Sequence, residues 1–165
     1  MANRVKLVPT IGAEIPNHDF TVLVGADAAQ SAVITDKDNG KACKLATGAP
    51  DSRVVFCEDG DEIHGQLMSV EPEMTSGGFK VGTMRFASSP LFDAQVAVGA
   101  EALAVGDEVV AAAQAAPGVP NNPAPYHVRM LVKKAATPNG LRLKVAAIQS
   151  GNGGPGSVVT LSKMF

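Results

Sequence analysis

VAVGAEALAVGDEVVAA, residues Val96 to Ala112, can be read as an alanine-rich helix or as two pieces of sheet joined by turns, and the choice decides the fold class. Val98, Ala102, Val105 and Val109 recur at helical spacing. Gly99 and Gly106, however, would each cost about 1 kcal/mol inside a helix relative to alanine. A local echo favours sheet: Gly60-Asp61-Glu62-Ile63 returns as Gly106-Asp107-Glu108-Val109, each time a Gly-Asp pair leading into a β-branched residue. The segment is therefore read as a strand, a Gly-Asp turn and a second strand. A short helix capped by Asp107, running to Ala116 and stopped by Pro117-Gly118, is the alternative. Four residues of echo are too few to establish a repeat.

The same punctuation continues in both directions. Short Val/Ile/Leu-rich runs at 19–24 and 31–35 are bounded by Gly25-Ala26-Asp27 and by Asp36-Lys37-Asp38-Asn39-Gly40, which is turn chemistry. Residues 41–47 and 53–57 form a candidate hairpin around GAPD, and 63–70 with 79–86 form another across EPEMTSGG. In 126–133, Val128, Met130 and Val132 alternate with His127, Arg129, Leu131 and Lys133, the period of a half-buried strand. After Pro138-Asn139-Gly140, whose Asn-Gly suits a tight turn, Leu141, Leu143 and Val145 alternate with Arg142 and Lys144. This predicts a hairpin with one core face and one basic face, followed by the GNGGPG break and a terminal strand in SVVTLSKMF.

Residues 1–20, with Pro9 and Pro16 and no sustained period, read as an extended arm, with room for a short strand at 5–8. APGVPNNPAP at 116–125 places four prolines in ten residues, which excludes helix and central strand and predicts an exposed, stiffened loop. The expected fold is thus mainly β: a single small β-barrel or β-sandwich over 21–165, an extended N-terminal arm over 1–20, and one or two short helices at most.

A chain of 165 residues suffices for one domain with its own core. Apolar residues reach 45% but aromatics only 4%, so the core must be built from Val, Ala, Leu, Ile and Met, which suits a thin sheet structure better than a deep ligand pocket. Pro9, Gly12 and Glu14 interrupt any signal-peptide core near the N-terminus, so secretion by that route is not expected. No run approaches the roughly 18 apolar residues of a membrane span, so no membrane partner is expected. Cys43 and Cys57 lack the paired spacing of a zinc site and are read as free thiols.

Charge is distributed unevenly. Residues 51–110 carry eleven acidic and three basic side chains, whereas 111–165 carry six basic and none acidic. That asymmetry is compatible with pairing inside the chain, with contacts between copies, or with contacts to a larger assembly.

Little in the sequence points to chemistry. His18, His64 and His127 fall in three separate segments with no metal-ligand spacing. The Glu58-Asp59-Gly60-Asp61-Glu62 cluster lacks the twelve-residue calcium-loop pattern and reads as a solvated turn. The glycine tracts at 77–78 and 151–156 have no following Lys-Ser/Thr, so nucleotide binding is not expected. Arg129, Lys133, Lys134, Arg142 and Lys144 could share one basic face, but only Tyr126 is near as a stacking platform, which argues against direct nucleic-acid binding. No catalytic set, metal or cofactor is expected.

In GGFKVGTMRF, VAVGAEALAVGDEVV and LRLKVAAIQSGNGGPGSVVTLSKMF, covering roughly residues 58–165, the chain resembles bacteriophage capsid decoration (cement) proteins and related small virion structural proteins. The likeness is one of composition and turn spacing. It implies a non-enzymatic protein, made in the host cytoplasm and added to the capsid exterior, that bridges major capsid protein subunits of an icosahedral shell, often as a homotrimer. Candidate assembly contacts are Arg4, Lys6, Pro9 and Pro16 in the arm, Pro120, Pro123 and Pro125 in the loop, and Arg129, Lys133, Arg142 and Lys144 on the basic face. Alternatives are a tail-tube or head-tail structural protein, and a small β-barrel ligand-binding module.

Overall fold

A computed structural model describes residues 19–49, 51–87 and 91–163. Ten strands follow one another among them: β1 (Asp19–Val24), β2 (Ala42–Leu45), β3 (Arg53–Phe56), β4 (Gly65–Met74), β5 (Lys80–Phe86), β6 (Phe92–Val96), β7 (Val109–Ala111), β8 (Leu131–Lys134), β9 (Lys144–Ser150) and β10 (Val158–Ser162). One short helix, α1 (Ala28–Val33), and 3-10 turns at 36–38 and 126–128 complete the described secondary structure. The expected mainly β fold is what the chain adopts.

The strands divide into two units. The first is a closed barrel in the order β1-β3-β2-β4-β5, and the second is a five-stranded sheet in the order β7-β8-β6-β10-β9. The two repeat one design in their strand pairings. β1 runs parallel to β3 and antiparallel to β5, and β6 likewise runs parallel to β8 and antiparallel to β10. The antiparallel pairs β2/β3 and β4/β5 recur as β7/β8 and β9/β10. Even the register corresponds: Met84 lies opposite Phe20 and Leu67, and Leu161 lies opposite Phe92 and Val145. The β2/β4 seam that closes the barrel is reduced in the second unit to one bridge, Glu108 to Lys144. Bonds from Val109 N to Leu143 O (3.0 Å) and from Val145 N to Asp107 O (2.9 Å) reinforce it, so the second sheet is nearly a barrel too.

Alternation decides which side chains go inside. In β6, Phe92, Ala94 and Val96 are buried while Asp93 and Gln95 are less so, the period of two a one-sided core demands. The barrel packs Val22, Val24, Ile34, Cys43, Val54, Leu67 and Met84, with Phe20 set edge-on to Phe86 at 4.7 Å between centroids. Each such buried aliphatic side chain contributes about 1.5–3 kcal/mol. A second cluster fills the C-terminal unit, and it takes in Ala42, Cys57, Ile63 and Ala87 from the barrel, so the two units share one apolar seam.

Several expectations are corrected. Residues 31–35 were expected as strand but lie at the end of α1 and just beyond it: Asp27 accepts a hydrogen bond from Gln30 N at 2.8 Å and so starts a helix in AAQSAV. Residues 126–128 form a 3-10 turn, and strand begins only at Leu131. The expected terminal hairpin does not form, because β8 is held between β7 and β6 while β9 pairs with β10. Asp19 and Phe20, placed in the arm, belong to β1; the rest of the arm lies outside the described residues. Of the strand, Gly-Asp turn and strand expected over 96–112, the turn at Gly106 and the second strand from Val109 form, but the first strand stops at Val96 and gives way to loop with Gly99 and Gly106 at positive φ; the helix does not form.

Candidate assembly surfaces

The loop from Ala112 to Pro125 does not project from the molecule; it is laid on the first barrel and bonded there. Lys41, fully buried, directs its ammonium to Asp38 Oδ1 (2.7 Å), Ala115 O (2.7 Å) and Ala116 O (2.9 Å), which uses all three N–H donors. Asp38 in turn accepts Gly118 N through both carboxylate oxygens, at 3.0 and 2.8 Å. Burial lowers the Lys41 pKa from the usual lysine range, and the Asp38 carboxylate opposes that shift. A buried charge is tolerable only when paired and fully hydrogen-bonded, and this one is both.

Further bonds follow the same path. Gln114 Oε1 accepts Ala42 N at 3.2 Å, while Asn121 donates to Gln114 Oε1 (2.6 Å) and Arg129 O (2.7 Å). Gln66 Nε2 reaches His127 O at 3.3 Å. Gly40, at φ +94°, lies so close to the 126–128 turn that a Cβ there would meet Tyr126 O at 1.7 Å. Pro120 is half-buried, and Pro123 and Pro125 are exposed on the loop's outer side.

The basic candidates are turned toward acids or backbone carbonyls of the same chain. Lys133 pairs with Asp59, Lys134 with Asp107 at 2.9 Å, and Lys144 faces Glu108 at 3.9 Å. Arg129 donates to Ala124 O (2.8 Å) and Lys37 O (3.2 Å), and Arg142 donates to Thr137 O. The charge asymmetry of the sequence is thus spent largely inside the molecule. Arg4, Lys6, Pro9 and Pro16 lie outside the described residues.

The acidic turn has a definite place. Gly60 N donates to Ala111 O and Ala111 N to Asp61 O, both at 2.9 Å, so the turn adds to β7 across the seam between the units. Asp61 also accepts Glu58 N at 2.7 Å and pairs with Lys44. His64 Nδ1 accepts Leu45 N at 3.0 Å, and His127 packs edge-on to Tyr126 at 5.7 Å. Cys43 and Cys57 are free and buried; burial pushes the Cys43 thiol well up and the Cys57 thiol up to about 12.

Among the described residues, no three His, Cys, Asp or Glu side chains gather as a metal site. A shallow open groove of about 660 Å³ lies between the 99–101 turn and the 133–137 segment, with Glu101, Lys133, Lys134 and Arg142 on its walls. Apolar side chains stand out around the C-terminal unit: Val98 is 96% exposed, Leu141 67% and Val105 61%. The clasp built on Asp38 and Lys41 was invisible in the sequence, where Asp36 to Gly40 reads only as turn chemistry and Lys41 as the start of a strand. The one available signal was Asp38 three residues before Lys41, a spacing that brings the two together only once a 3-10 turn forms.

No family model matches the chain, and no curated protein matches it.

Proposed function

We propose that the chain is a non-enzymatic virion structural protein that decorates the exterior of an icosahedral phage capsid and stabilises it by bridging major capsid subunits, with copies associating as a homotrimer. The observation that supports this reading is the rigid coupling of two like units. Domains in one chain move relative to one another unless a large apolar interface prevents it. Here a shared apolar cluster, a buried ion pair and backbone bonds join the units. A bridge between shell subunits transmits load only if it does not hinge, and this build meets that requirement. The exposed Val98, Leu141 and Val105 offer apolar contact area on the outside of the second unit.

The test is to band phage particles from lysates of the cell that makes this chain, and to mix the purified chain with shells that lack it. The expected outcome is co-banding in stoichiometric amount, saturable rebinding, and shells that withstand higher temperature once loaded. Absence from banded particles together with failure to rebind would overturn the proposal.

A further inference from the structure

Because both units repeat one design, each position of the seam between them has a counterpart elsewhere on the chain. Ala42 opposite Gln66 corresponds to Glu108 opposite Lys144, and Leu67 opposite Met84 corresponds to Val145 opposite Leu161. Loop bonds obey the same correspondence: Gly40 N to Leu67 O matches Gly106 N to Val145 O, and Cys57 N to Ala42 O matches Ala135 N to Glu108 O. The spacing from Cys57 to Leu67 equals that from Ala135 to Val145, so Ile63 corresponds to Leu141.

On the first unit this surface is covered. Ile63 is 6% exposed within the apolar cluster that the second unit fills, and a Cβ on Gly40 would meet Tyr126 O. On the second unit the same surface is bare: Leu141 and Val105 are exposed, and a Cβ on Gly106 would meet nothing within 4 Å. The covering side shows the converse. Ala111 of β7, which receives the 58–61 turn, is fully buried, whereas its counterpart Leu45, opposite Val54 as Ala111 is opposite Val132, is 42% exposed. Each half of the seam thus occurs a second time without its mate.

We infer that the surface of the second unit around Val105 and Leu141 binds residues 45–48, at the end of β2, on a second copy of this chain, head to tail. The internal seam names this occupant, since the element that covers the first unit is the β7 end of the second, and β2 is its counterpart. Two departures set the character of the contact. Pro138 stands where Gly60 does and has no N–H to donate, and Leu45 N is already bonded to His64 Nδ1. Contact between copies is therefore carried by apolar side chains instead of backbone bonds, and Leu45 offers more apolar surface than the Ala111 it replaces. A heterologous contact of this kind generates a ring where its rotation closes. In the homotrimer proposed above, on which this inference rests, three chains close a ring of six like units.

Sedimentation velocity over a concentration series reads the contact in solution, apart from particle binding. The full chain is expected to form trimers, and Leu141→Asp or Leu45→Asp each to weaken association at least about tenfold with an unchanged urea midpoint. Each variant keeps one intact face, so an equal mixture of the two is expected to form dimers that neither forms alone. Chains carrying Leu141→Cys and chains carrying Leu45→Cys are likewise expected to be joined by a short bis-maleimide only when mixed. A chain monomeric at all concentrations, association indifferent to both substitutions, or Leu141→Cys chains that link to one another would overturn the inference. Monomers that still rebind shells would overturn it and leave the capsid reading standing, whereas trimers that are absent from particles and do not rebind would overturn the capsid reading and support the contact.

Discussion

The Asp38 carboxylate binds Lys41 of its own barrel and the backbone N–H of Gly118 in the loop of the other unit, so one side chain closes both the local turn and the seam. Removing one member of a buried pair strands the other. Lys41→Met is therefore expected to cost about 3–5 kcal/mol. Asp38→Leu added to it should recover part of the loss, giving a coupling energy above about 1 kcal/mol in a urea-melt double-mutant cycle. Additive losses would show that the two residues act separately.

Gly40 and Gly48 allow backbone strain to be separated from contact. Both have positive φ, but a Cβ on Gly48 meets nothing within 4 Å whereas one on Gly40 meets Tyr126 O. Gly48→Ala is expected to cost about 1–3 kcal/mol from backbone strain. Gly40→Ala should cost clearly more, and should alter the amide signals of 126–129 in a nitrogen–proton correlation spectrum.

Acid should loosen the second unit through Asp107. The Ala104 N–H, then the Lys134 ammonium, hold its carboxyl below the usual range against the effect of partial burial. A depressed folded pKa gives stability that is present above the unfolded value of about 3.9 and lost as pH falls through the folded value. Urea midpoints are expected to fall on going below about pH 4, and Asp107→Asn should lower the midpoint at neutral pH while flattening that dependence.

The thiols report on unfolding. With Cys57 pushed up to about 12 and Cys43 raised well above the usual range, neither supplies thiolate in the native state. Native protein at about pH 8 should resist a thiol-specific reagent, and both cysteines should react in one phase at the rate of global unfolding. Prompt labelling of either would contradict the burial.

Where two strands meet across a short turn, the sequence was legible. β2 with β3 and β4 with β5 follow from local alternation bounded by Gly, Pro and Asp, and the Gly106 turn follows from the same logic, whereas the turn at Gly99 was not expected. What eluded it depends on distant partners. Met130 and Val132 are buried as their alternation predicts, yet β8 pairs with strands more than twenty residues away rather than with its neighbour across the Asn-Gly turn. The repeat was hidden for a related reason. Equivalent positions keep register and burial, such as Val22 with Ala94, but few identities, whereas the Gly-Asp-Glu echo falls at unlike places: before β4 in one unit and into β7 in the other. The Asp38–Lys41 clasp depends on a loop seventy-odd residues further on, beyond any local pattern.

The long crossover between β6 and β8 also bears on the order in which the chain acquires its structure. Parallel neighbours need such a crossover, and closing it carries an entropic cost that local contacts do not offset. In this molecule the crossover finds its hydrogen bonds on a barrel that has already left the ribosome, since chains emerge N-terminal end first. The first barrel is then a template on which the second is assembled, and residues 91–163 made alone would lack the acceptor and donor groups of Asp38, Lys41 and Ala42 that fix the loop's course. Synthesis order and native contacts are matched, which makes reversing the two halves by circular permutation a severe perturbation for a chain whose units share one topology.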